Sequence, residues 1–64
     1  MTVTTLESLF NSINVNLYVA RRDLDSAIEK GERDKNKPLV EALKELYTRV
    51  DETLETVAET RKFL

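Results

Sequence analysis

Apolar side chains spaced alternately by four and three run the length of this chain, with one interruption. In the first half Leu6, Phe10, Ile13, Leu17, Ala20, Leu24 and Ala27 follow this spacing. In the second half Val40, Leu43, Tyr47, Val50, Leu54, Val57, Arg61 and Leu64 repeat it, with Arg61 the one polar member. A mean step of ~3.5 residues keeps a stripe on one side of an α-helix, where a strand would alternate every second residue. The pattern predicts an all-α chain built from two helices with a heptad seam.

The interruption coincides with the two strongest helix breakers. The single Gly, Gly31, and the single Pro, Pro38, bracket the polar run Glu32-Arg33-Asp34-Lys35-Asn36-Lys37. Glycine readily takes the left-handed conformation that ends a helix, and proline is tolerated in a first turn. The expected layout is one domain over residues 1–64, with helix 1 at about 5–30, a loop at about 31–36 and helix 2 at about 37–63. Thr4-Thr5-Leu6-Glu7 reads as a capping box with Thr4 as the cap, Lys30 suits the negative end of helix 1, and Asn36 or Asp34 can cap helix 2. A short link between helices of similar length favours an antiparallel hairpin. The expected register pairs residues whose numbers sum to about 67, setting Ala20 against Tyr47, Ala27 against Val40 and Phe10 against Val57, with Arg61 near Leu6 and Glu7.

One hairpin does not bury all of this apolar surface. Leu9 and Ile28 flank the seam of helix 1, and Leu39 and Leu46 flank that of helix 2. The stripe is then wider than a single neighbouring helix covers. A homo-oligomer follows as the expectation, most simply a two-fold dimer forming a four-helix bundle. In size and hairpin layout such an assembly resembles the plasmid RNA-binding four-helix dimers of the Rop type, a likeness of architecture with no shared residue motif.

Composition narrows the chemistry. With 64 residues and no Cys or His, the chain has no disulfide framework, no thiol or imidazole nucleophile and no zinc set of the usual kind. Ten basic and twelve acidic side chains leave a net charge of −2, which exerts no general pull on nucleic acid or anionic lipid. No apolar run approaches the ~20 residues of a spanning helix, and the first residues lack a signal peptide's order of charge and hydrophobicity. A cytoplasmic protein without enzymatic activity, cofactor or metal is the expectation.

Two surfaces of helix 1 remain as candidate sites. Asn11, Asn14, Tyr18, Arg21 and Arg22, with Asp25, form a polar flank that combines amides, an aromatic plane and guanidinium groups. Those groups suit a nucleotide or RNA ligand through stacking, phosphate contact and base-edge hydrogen bonds. Opposite the seam lie Ser8, Ser12, Val15, Val19 and Ser26, where an exposed helix would normally carry Lys and Glu. This neutral surface is expected to contact a partner protein or further copies of the chain. By contrast, Glu41, Glu45, Glu52, Glu55 and Glu59 read as a solvated acidic side of helix 2. The leading expectation is a self-associating adaptor, inhibitor or regulator, in the size class of proteins that phages and plasmids encode. The alternatives are a nucleotide or RNA binder and a structural subunit of a larger assembly.

Overall fold

The computed structural model describes residues 5–64, which form two α-helices and a closing 3-10 turn. Helix α1 spans Leu6–Arg33, helix α2 spans Lys37–Thr60, and Arg61–Phe63 form the 3-10 turn. The helices pack as an antiparallel hairpin, and no strand occurs among the described residues. The molecule measures 49 × 25 × 11 Å. Its smallest dimension is the ~10–12 Å width of one helix with side chains, so the hairpin is a single layer with two broad sides.

The start of α1 differs from the expected capping box. Thr4 lies outside the described residues, and Thr5 is the cap: its hydroxyl accepts the Ser8 backbone N–H at 3.1 Å. Glu7 still lies in the first turn, where the helix dipole favours negative charge. At the other end α1 runs past Gly31 to Arg33, leaving only Asp34, Lys35 and Asn36 between the helices.

The turn corrects the reading of Gly31. That glycine is helical and buried, and the left-handed residue is Lys35, at φ 56°. The Asn36 N–H donates to the Gly31 carbonyl at 3.0 Å and the Lys35 N–H to the Glu32 carbonyl at 3.1 Å. These two bonds form a Schellman closure around a non-glycine residue. Asn36 then caps α2 by accepting the Leu39 N–H at 3.4 Å, and Pro38 sits in the first turn, where its missing N–H costs nothing.

Gly31 has a packing role instead. A Cβ built on it would stand 2.9 Å from Cγ2 of Val40, closer than side-chain carbons tolerate. Its missing side chain therefore brings the helices together at the turn, where Val40 is buried to 7% exposure.

The register is displaced from the expected one by about a helical turn. Gly31 meets Val40, Arg21 meets Asp51, and Asn11 meets Arg61, so facing residues sum to 71 or 72 and not 67. The cause is the turn: with α1 continuing through Gly31, the centre of the connection moves from the middle of 31–36 to Lys35. Arg61 accordingly reaches Asn11 and not Leu6 or Glu7.

Between the helices, α2 presents the stripe read from its sequence. Val40 and Leu54 are buried, while Leu43, Tyr47, Val50, Val57 and Arg61 are half-buried. On α1 the half-buried stripe is Phe10, Asn14, Leu17, Arg21, Leu24 and Ile28, ending in buried Gly31. Ala20 and Ala27 are half-buried beside it, whereas Leu6 and Ile13 are exposed. Among the described residues no large side chain is fully buried.

Candidate functional site

One broad side of the hairpin is tied by polar side chains from both helices. Arg21 donates through Nη1 to Asp51 Oδ1 at 2.6 Å, and its guanidinium carbon lies 5.0 Å from the centre of the Tyr18 ring. Tyr18 and Arg21 are three residues apart, neighbours on the helix surface, so the aromatic face is available to the cation. The hydrogen bond to Asp51 raises the Arg21 pKa above its ordinary value. Toward the open end of the hairpin, Arg61 donates to Asn11 Oδ1.

The expected ligand flank is thus partly assembled. Asn11, Asn14, Tyr18 and Arg21 share this side, with Asn14 and Arg21 half-buried against α2. Arg22, four residues after Tyr18, stands at the outer edge of the same flank, exposed, with its guanidinium 3.8 Å from Asp23. Asp51 and Arg61 complete the cluster from α2 and the turn after it. Asp51 does not stand out in sequence, and Arg61 does so only as the one polar member of its stripe, because the partners of both are set by the register of the hairpin.

Further along the same side, Asp25, Ile28, Lys44, Tyr47 and Thr48 line a shallow groove open to solvent along its length. Small-molecule sites bury most of their ligand, which a two-helix layer does not do here. On the outer surface of α2, Glu45 pairs with Arg49 at 2.9 Å one turn away. The hydroxyls of Thr48, Thr53, Thr56 and Thr60 each donate to the backbone carbonyl four residues earlier. Among the described residues no three of His, Cys, Asp and Glu are grouped to hold a metal ion, and no helix is long and apolar enough to cross a membrane.

The other broad side is unlike the first. A helix position three residues before or four after a seam residue fixes which side it takes, and the Arg21–Asp51 pair marks where the polar sides of α1 and α2 coincide. Leu6, Leu9 and Ile13 of α1 and Leu39, Leu43 and Leu46 of α2 consequently share the opposite side. Five of these six are exposed, Leu6 to 65% and Leu46 to 49%, and Leu43 is half-buried.

A third surface lies on the back of α1. Ser8, Ser12, Val15 and Val19 are all exposed, Val15 to 59%. From Ser8 to Ala20 the helix carries no charged side chain on any of its sides. No family model, curated protein or solved structure matches this sequence.

Proposed function

We propose that this chain is a non-enzymatic interaction module that self-associates and, through the outer surface of α1, binds and modulates another macromolecule in the cytoplasm. The observation that carries this reading is the uncharged stretch Ser8–Ala20, whose outward residues Val15 and Val19 stand in solvent. Protein interfaces are distinguished at their centres by depletion of charge more than by total hydrophobicity. The outer surface of α2, which carries Glu45, Glu52, Glu55 and Glu59, provides the contrast within the same molecule.

The ligand-binding alternative draws on the Tyr18–Arg21 stack, but Arg21 is already engaged by Asp51, and Arg22, exposed at the edge of the flank, lies beside Asp23. The existing ion pair must be opened before Arg21 can take a phosphate. For this reason the macromolecular reading is preferred.

The test is photocrosslinking in the native cell, with a photoreactive residue replacing Val15 in one variant and Glu55 in another. A discrete adduct with a different macromolecule from position 15, missing from position 55, is the expected result. Adducts from position 15 that contain only further copies of the chain support the structural-subunit alternative. Indistinguishable adducts from both positions overturn the proposed surface.

A further inference from the structure

The side bearing Leu6, Leu9, Ile13, Leu39, Leu43 and Leu46 distributes its bulk along a diagonal. On α1 the large residues lie toward the open end of the hairpin, and on α2 they lie toward the turn. The remaining corners are smaller over most of their length: Ala20 and Ala27 on α1 near the turn, and Val50, Thr53 and Val57 on α2 toward the open end, before Arg61 and Leu64 at its tip. A two-fold axis lying in this face, along the helices or across them, places each bulky corner over a smaller corner of a second copy. An isologous interface requires such self-complementarity, and alternation of large with small lets layers interdigitate.

The exposed area leaves room for a second copy. The chain exposes 5292 Å², whereas a compact monomer of its 7.4 kDa exposes about 4,200 Å². The excess of roughly 1,100 Å² reflects the flat single-layer shape, whose broad face is large enough for the ~800 Å² that each partner contributes to a standard interface. Asp23 and Lys30, on the outer flank of α1, supply a polar rim.

We infer that the occupant of this face is a second copy of the chain, packed face to face about a two-fold axis, with the Arg21–Asp51 side turned outward. This inference rests on the self-association proposed above and adds the surface and symmetry through which it occurs. Two copies complete a four-helix bundle in which Ile13, Leu43 and Val50 become interior residues.

Sedimentation equilibrium of the full chain provides the test, together with Leu46→Glu on the apolar side and Thr48→Glu on the polar side. Wild type is expected at twice the chain mass. Leu46→Glu buries a carboxylate against the second copy and raises the dissociation constant by about 100-fold or more, while Thr48→Glu leaves it within a few-fold. Disulfide trapping keeps the geometry testable if Leu46→Glu unfolds the chain. Because the protein has no cysteine, Val50→Cys, near the middle of the face, is expected to link two copies, and Thr48→Cys is not. A monomeric wild type overturns self-association and geometry together. A dimer that survives Leu46→Glu, or that links through Thr48→Cys in preference to Val50→Cys, overturns the geometry alone, and a trimer overturns the two-fold.

Discussion

The two broad sides of the hairpin are built from adjacent strips of the same helices, yet their surfaces are finished differently. On one side Arg21 reaches Asp51 and Arg61 reaches Asn11, so the cross-helix groups satisfy each other and the remainder meets water. On the other, the leucines of α1 lie toward the open end and those of α2 toward the turn, and most of them stand exposed among the described residues. The polar pairs match the alignment that the turn sets, since a slip by one turn would separate both of them. The apolar side holds exposed surface that the proposed second copy would bury. One layer thus has a side whose groups pair within the hairpin and a side left open.

Substitutions can break that division, the largest effect coming from the seam that both sides share. Leu54→Ala empties a buried position and is expected to cost about 2–5 kcal/mol in denaturant unfolding at fixed protein concentration. A loss comparable to that of an exposed leucine would mean that the seam is not the centre of the structure. Gly31→Ala comes next. Alanine favours helix, but its methyl group would overlap Val40, so a net destabilisation of about 1–3 kcal/mol is expected. Combining it with Val40→Ala should recover the part due to overlap, which a double-mutant cycle would isolate.

Lys35→Gly should change stability in the opposite direction. Relief of a left-handed non-glycine residue is expected to stabilise the hairpin by about 1 kcal/mol, read as a higher midpoint in the same titration. The smallest effect on stability is expected from Arg21→Gln with Asp51→Asn, because both side chains retain contact with water. That pair sharpens the comparison through its specificity. Its coupling should weaken with added salt, and the mass of the assembly should not change.

Much of this architecture was legible in the sequence, and the misreadings share a physical cause. The α2 stripe could be read directly because Val40, Tyr47 and Leu54 are central to both the heptad pattern and the hairpin. On α1 the pattern selected Leu6, Ile13, Ala20 and Ala27 beside Phe10, Leu17 and Leu24, whereas the hairpin uses Asn14, Arg21 and Ile28 on the other side of that central row. Periodicity identifies apolar positions but does not identify the element that covers them. It therefore joined the open leucine side to the hairpin interior. The register could not be read because it depends on whether Gly31 or Lys35 turns the chain, and a left-handed lysine has no sequence signature. The polar flank was visible as a set of residue types, but its engagement by Asp51 and Arg61 depends on that same register.

The three-residue turn also sets an order of events in time. Closing so short a loop costs little chain entropy, so pairing starts beside Gly31 and Val40 and proceeds away from them. The contact between Asn11 and Arg61, separated by 50 positions, is the last to close and the first to open. Fraying therefore begins at the end where α1 is uncharged. The backbone amides expected to exchange with water soonest are then those nearest the surface proposed to meet another molecule.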